Sequence, residues 1–249
     1  MKILIPMAGE GSRFAKVGYT LPKPLIDVNG QPMIKRVIDN IKPMTTKNEF
    51  YPDEFIFLVR KEHLEKFSNL KEKLVEYCDG NATIVQVDGL TEGAACTALL
   101  AKEHINFGDE DLLIVNSDQI IEYEPINFKT IKNYSLIDGI IFTFKATESK
   151  WSFAKTNDRN IVVEVAEKKP ISDNATSGHY YWKTGKDFVV CAEEMIKENI
   201  RTNNEFYIAP VYNQLIKKGS SRRVVTFSVN KMWGIGTPED LNYYLENNK

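Results

Sequence analysis

The chain opens on "KILIPM", an apolar run without helical periodicity that stops at a glycine-rich turn, which predicts a short, fully buried strand. Spacing then becomes helical in "PMIKRVIDNIK", where Ile34, Val37, Ile38 and Ile41 share one face and Pro32 and Pro43 bracket the segment. "EFIFLV" predicts a second buried strand, "EHLEKFSNLKEKLVEYC" an amphipathic helix, and "ATIVQV" a third strand. "EGAACTALLAKEHI" predicts a helix opening on a glycine, and "DLLIVNSDQ" a fourth strand whose end carries a polar cluster. Strands alternating with helices imply right-handed crossovers and a mainly parallel sheet covered by helices.

From about Asp138 the texture changes. "GIIFTFKA", "IVVEVAE", "GHYYWKT" and "RRVVTFSV" predict strands with fewer helices between them, hence a mixed sheet. "KDFVVCAEEMIKENI" and "FYIAPVYNQLIKKG" fit helices, and "TPEDLNYYLENN" a last helix capped by Thr237 with Pro238 at its first position. No internal repeat, low-complexity tract or long linker divides the chain, so residues 1–249 are expected to form one domain.

Composition narrows the function. A chain of 249 residues, 43% apolar and 27% charged, can bury a sizeable core. Its net charge of −2 gives no bulk attraction for nucleic acid or an anionic membrane, so neither is an expected partner and any polyanion site must be local. Cys78, Cys96 and Cys191 lie far apart without metal-type spacing, which implies reduced thiols rather than a disulfide framework. The first apolar run is broken by Gly9, Glu10 and Arg13, too early for a signal peptide, and no segment has the length to span a bilayer. A cytoplasmic location is the expectation.

The candidate chemistry begins at "IPMAGEGSRFAKVGYTLPKPL". In open α/β sheets ligands bind beyond the carboxyl ends of strands. Ala8, Gly9 and Gly11 let backbone approach an anion closely, and successive amides there can form an anion-binding nest. Ser12 adds a hydroxyl, Arg13 can fork onto phosphate oxygens, and Lys23 can supply a point charge from the following loop. One phosphate hardly needs all of this, whereas a triphosphate does. The stretch lacks the G-K-[ST] ending of a P-loop and the third glycine of a dinucleotide fingerprint.

Together, "MAGEGSRF", "PKPL" and "GQPMI" resemble the signature of nucleotidyltransferases of the sugar-phosphate pyrophosphorylase type. The resemblance implies a Rossmann-like αβα three-layer sandwich with a mixed, mainly parallel central sheet, a nucleotide-binding half at 1–120 and an acceptor-binding half at 121–249. "GLTEGAACTAL" resembles the segment over nucleobase and ribose, placing Glu92 and Gly93 near the nucleotide; the alternative is a plain helix start capped by Thr91. "VNSDQ" resembles the strand-end acidic motif, with Ser117 in place of the usual glycine. Asp118 keeps its position as a Mg²⁺ ligand, making Mg²⁺ the expected cofactor.

"VAEKKPISDNATSGHYYW" resembles the acceptor-site pattern of Glu-Lys followed by Gly-x-Tyr. By that match Glu167 accepts hydrogen bonds from the acceptor, Lys168 (or Lys169, since the doubled lysine leaves the register open) holds its phosphate, and Gly178 lines the pocket. His179 is a further candidate at a position usually apolar in the family, and "NEFYIAPVYNQL" brings Glu205 and Tyr207 near the acceptor. "MWGIGTPEDL" departs from the family, whose usual aspartate two residues before Gly-Thr-Pro is here Gly234. Asp240 farther along is expected to cap or pack, which leaves a second metal ligand open.

The implied reaction is attack by an acceptor phosphate oxygen on the α-phosphorus of a nucleoside triphosphate, with pyrophosphate leaving and Arg13, Lys23 and Asp118 as catalytic residues. CTP, UTP or dTTP is favoured, and a sugar 1-phosphate is the default acceptor, for surface polysaccharide or capsule synthesis. Glu167, His179, Trp182 and Arg201 could equally suit a phosphorylated amino alcohol or amino acid, as in related cytidylyltransferases. Two rivals are a GT-A-type glycosyltransferase, although Ser-Asp-Gln replaces its usual Asp-x-Asp, and a nucleotide-binding regulator without turnover. Many relatives associate, so a homo-oligomer is an open expectation.

Overall fold

A computed structural model describes residues 1–45, 53–105, 109–219 and 222–248. Among these residues the main sheet has nine strands. Four of them, β1 (Lys2–Pro6), β4 (Glu54–Arg60), β5 (Ala82–Val87) and β6 (Leu112–Val115), form a parallel block in the order β6-β1-β4-β5. The short β2 (Asp27–Val28) and β3 (Gln31–Pro32) pair only with each other. Side chains alternate across the pleat, so Ile3 and Ile5 enter one core cluster while Leu4 enters the other. All three are fully buried, each contributing about 1.5–3 kcal/mol of transfer free energy. Burial on both faces is why β1, β4 and β6 read as unbroken apolar runs, whereas the edge strand β5 exposes Gln86.

Beyond β6 the sheet becomes mixed. β11 (Asn174–Trp182) runs antiparallel to β6 and to β8 (Gly139–Lys145), and β12 (Val224–Ser228) runs parallel to β8. β9 (Ser152–Thr156) and β10 (Val162–Glu167) are an antiparallel pair on the outer edge. A separate ribbon joins β7 (Gln119–Glu122) to β13 (Lys231–Gly234). Helix Met33–Ile41 packs on one sheet face; helices Ala94–Leu99, Gly185–Lys197 and Tyr212–Lys217 pack on the other. The result is the expected three-layer, Rossmann-like sandwich with a mixed, mainly parallel sheet.

Two expected helices are divided. "EHLEKFSNLKEKLVEYC" forms Lys61–Lys66 and Leu70–Tyr77, interrupted at Phe67–Asn69, where the Leu70 amide turns back onto the Phe67 carbonyl at 2.9 Å. Ser and Asn are weak helix formers whose side chains compete for the backbone. The helix after Gly93 likewise stops at Leu99 and resumes at Lys102. The reading also lacked β2, β3, β7, β9, β13 and helices Ser12–Lys16 and Pro125–Lys132. A third cluster packs Phe14, Ile26 and Met33 against Trp233, Ile235, Leu241 and Tyr244, fastening helix Pro238–Asn247 beside the N-terminal glycine turn. Thr237 caps that helix as expected, accepting the Asp240 amide at 3.1 Å.

Candidate active site

β1 sits between β4 and β6: the chain runs from β1 out to β4 and β5 on one side and returns to β6 on the other, and this reversal of strand order opens a crevice at the strand ends. The glycine turn follows β1 and the Asn116–Gln119 cluster follows β6. Gly11 takes a left-handed conformation (φ 64°), and a Cβ there would lie 3.2 Å from the Lys23 Cβ. Bare backbone thus lets the Lys23 stem pass the turn. Its ammonium reaches the Asp118 carboxylate at 2.8 Å, with both side chains only about one-fifth to one-quarter exposed (20% and 24%).

The other walls are equally constrained. The Asn116 amide donates to the Gly178 carbonyl at 2.9 Å, and the Asn116 side chain donates to Gln119 Oε1 at 3.1 Å. Gly178 (φ 74°) lies so close beneath this pair that any Cβ would collide with both side chains. The Ile235 amide donates to the Asp118 carbonyl at 2.9 Å, and a Cβ on Gly236 would collide with the Asp118 carboxylate.

Two cavities meet at the Lys23–Asp118 pair. The smaller, about 310 Å³, is walled by Ala8, Gly9, Gly89, Leu90, Thr91, Gly93 and Thr97. The larger, about 630 Å³, takes in Arg13, Lys150, Trp151, Glu167, Lys168, Gly178, Gly234 and Asp240. Lys23, Asp118, Glu205 and Tyr207 line both. Arg13 is exposed and has no ion-pair partner among the described residues.

At the far end, Glu167 accepts a short hydrogen bond from the Ser152 hydroxyl. Burial raises the Glu167 pKa above the ordinary carboxylate range, with the Ser152 bond and nearby Lys168 opposing that shift. Lys168, itself at φ 55°, donates to the Tyr207 hydroxyl at 2.6 Å. Burial, then the neighbouring Glu205, keeps that phenol protonated by raising its pKa. Lys168 lines the cavity whereas Lys169 is exposed outside it.

Several expected residues lie elsewhere. His179 is fully buried on the opposite face of β11, beside Phe142, with Nδ1 donating to the Ser177 carbonyl at 2.8 Å. Thr176, Gly178 and Tyr180 alternate toward the cavity, so the odd-numbered His179 must face away. It is therefore not an acceptor contact. Trp182 is buried in the core, stacked on Tyr212 at 4.1 Å. The Glu92 carboxylate pairs with Arg201, and neither residue lines either of these two cavities; Ser12 also lies outside both linings. The alternative of a plain helix start capped by Thr91 does not hold, because Gly93 occupies the N-cap and the Thr91 hydroxyl donates to the Gly93 carbonyl at 3.0 Å.

Lys150, Trp151, Asn116 and Gln119 are cavity residues that the sequence reading missed. Lys150 and Trp151 sit in an aperiodic connection before β9, where only the general tendency of loops to carry function offered a signal. Asp240, expected to cap or pack, packs its carboxylate on the cap, accepting from the Thr237 hydroxyl at 3.0 Å, but also faces the larger cavity and pairs with Lys150 at 3.5 Å.

The residues fit Mg²⁺ in one particular way. No three His, Cys, Asp or Glu side chains converge as a metal cage among the described residues. Asp118, held against the bare backbone of Gly236 at the junction of the cavities, can provide a hard oxygen to an ion whose other ligands are phosphates and water. Gly234 brings no carboxylate, but Asp240 Oδ2 lies 3.7 Å from where its Cβ would stand.

The fold and this crevice define a class, and residues 2–246 match the model of the nucleotidyl transferase family. The chain belongs to that family. It is 25% identical over 253 residues to the bifunctional protein GlmU of Methanocaldococcus jannaschii, a match covering 100% of this chain and 54% of that relative. It is also 28% identical over 148 residues to a mannose-1-phosphate guanyltransferase of Candida albicans, covering 59% of this chain and 38% of the relative. This chain therefore spans about half the length of the GlmU relative it matches. Among solved structures, the nucleoside-diphosphate-sugar pyrophosphorylase from Vibrio cholerae RC9 superposes with a TM-score of 0.83 at 27% identity, covering 98% of this chain and 99% of that one.

Proposed function

We propose that this protein transfers a nucleoside monophosphate from a nucleoside triphosphate to a phosphorylated small molecule, releasing pyrophosphate. The observation that carries the reading is the meeting of two cavities at Lys23 and Asp118. One cavity has glycine-rich backbone walls suited to a nucleotide, and the other has cations and hydrogen-bond acceptors suited to a phosphorylated acceptor. CTP, UTP or dTTP is the favoured donor, following the resemblance of the N-terminal signature, with a sugar 1-phosphate as first acceptor. Such a product would feed surface polysaccharide or capsule synthesis in the cytoplasm.

Both reactants are anions and must be held in line against their repulsion. Arg13 and the amides of the glycine turn hold the departing pyrophosphate, and Lys23 neutralises charge developing at the α-phosphate. Lys168 orients the attacking phosphate oxygen, while Glu167 and Glu205 accept hydrogen bonds from the rest of the acceptor. Mg²⁺, when bound through Asp118 and the phosphates, supplies additional charge neutralisation. No covalent enzyme intermediate is needed, because positioning and electrostatics suffice for phosphoryl transfer.

A second acceptor class is favoured by one specific feature. Two carboxylates, Glu167 and Glu205, share the larger cavity with Trp151, a set that also suits the ammonium of a phosphorylated amino alcohol. The test is pyrophosphate release with Mg²⁺, pairing each of five nucleoside triphosphates with sugar 1-phosphates and phosphorylated amino alcohols. Release requiring one donor and one acceptor supports the reading. Triphosphate binding without release across the panel points to a regulator, and absence of triphosphate binding overturns the proposal.

A further inference from the structure

The sequence "RTNNEF", residues 201–206, folds into a two-residue hairpin. Thr202 and Glu205 exchange both backbone hydrogen bonds at 3.0 Å, and the central Asn203 and Asn204 have positive φ (48° and 65°), as a type I′ turn demands. The next opposed pair is Arg201 and Phe206, and the guanidinium stacks over the Phe206 ring at 4.0 Å.

Phe206 uses its other backbone edge on the wall of the smaller cavity. Its amide donates to the Glu92 carbonyl at 2.8 Å, and its carbonyl accepts from the Ala95 amide at 2.9 Å. This approach requires Gly93, at φ 129°, because a Cβ there would lie 2.5 Å from the Phe206 nitrogen and oxygen. The Arg201 guanidinium closes the arrangement by pairing with the Glu92 carboxylate. Glu205 and Tyr207, on either side of Phe206, both line the two cavities.

Resting on the functional reading above, we propose that Arg201 is a positioning residue that couples the two substrate cavities. It clamps the hairpin carrying Glu205 and Tyr207 to the Glu92–Ala95 wall, so filling the nucleotide cavity orders the acceptor-facing hairpin. The coupling is reciprocal, since two ligands that bias one element must each strengthen the other's binding by the same factor. Arginine is required because its planar group stacks on Phe206 and pairs with Glu92 at once, which a lysine ammonium cannot do.

The test is hydrogen exchange on the full chain, with CTP, UTP and dTTP each added with Mg²⁺ as the probe. The measured quantity is the ratio of exchange rates with and without nucleotide, which a uniform loosening of the hairpin does not move. In the natural protein, a triphosphate that slows exchange at residues 8–13 should also slow residues 201–208, by about fivefold or more, as inter-site coupling of ordinary size gives. In Arg201→Ala and Glu92→Gln, protection at 8–13 should persist while the ratio at 201–208 falls toward one, with β1 and β6 unaltered. Arg201→Lys should behave like the alanine variant. Protection at 8–13 without any at 201–208 in the natural protein overturns the coupling alone, as does an unchanged ratio in Arg201→Ala. No protection at 8–13 with any probe overturns the functional reading and the coupling with it.

Discussion

Lys23 and Asp118, 95 residues apart in the chain, meet at 2.8 Å at the junction of the two cavities. Each neutralises the other at the place where triphosphate oxygens are proposed to lie. Lys23→Ala is expected to lower turnover by about 10²–10³-fold, the usual cost of removing a preorganised electrostatic group. Circular dichroism and the thermal midpoint should stay close to those of the natural protein. Near-normal turnover would remove Lys23 from the catalytic set.

Gly236 has no side chain because the Asp118 carboxylate occupies that space. In Gly236→Ala, the new methyl group must push Asp118 away from Lys23 while leaving the hydrophobic clusters intact. Turnover should fall at least tenfold and the Mg²⁺ concentration needed for half-maximal rate should rise. Loss of stability without a change in Mg²⁺ requirement would count against Asp118 as the ligand.

The Ser152–Glu167 pair sets a pH dependence. Burial raises the Glu167 pKa and the Ser152 hydrogen bond lowers it. The group is charged above its pKa, so acceptor affinity should weaken as pH falls through that value. Ser152→Ala removes a lowering influence and should move the acidic limb of the kcat/KM profile to higher pH. A limb that stays in place would show that Glu167 does not bind the acceptor in its charged form.

His179 makes a prediction about the fold instead. Burial lowers its pKa from 6.5 to about 4. Above pH 6.5 the ring is neutral in both folded and unfolded chains. Between pH 6.5 and 4 the unfolded chain takes up a proton that the folded one refuses, so stability falls with pH by on the order of 3 kcal/mol. His179→Met should shrink the difference in urea midpoint between pH 7 and pH 4.5. An unchanged difference would assign acid sensitivity to other groups.

Particular residues show what local pattern can and cannot reveal. The apolar run at Ile3–Ile5 predicted its strand because burial on both faces leaves no other reading, and Pro32 fixed the start of the following helix. Gly9 and Gly11 stood out as a bare turn after an apolar run and Lys23 as a cation in the loop after that turn, whereas Asp118 was singled out only through the resemblance of "VNSDQ" to a family motif. Phe67–Asn69 broke a helix whose amphipathic period continued across it, which periodicity could not detect. His179 was misplaced for a different reason: its face depends on the register of β11 against β6 and β8, with an irregularity between Thr176 and Tyr180. Lys150, Trp151 and Asp240 reach the cavity only through tertiary packing, so nothing adjacent to them in the chain marks their role.

The third core cluster has a consequence for biosynthesis. Phe14 and Ile26 leave the ribosome more than two hundred residues before Trp233, Ile235 and Leu241, which cover them. Domains generally fold as units during synthesis. The residues beside the glycine turn therefore lack these late partners until residues 233–241 have cleared the exit tunnel. A nascent chain stalled before that point should expose an apolar, chaperone-binding surface at the future catalytic crevice, and acquire its activity only once those residues have emerged.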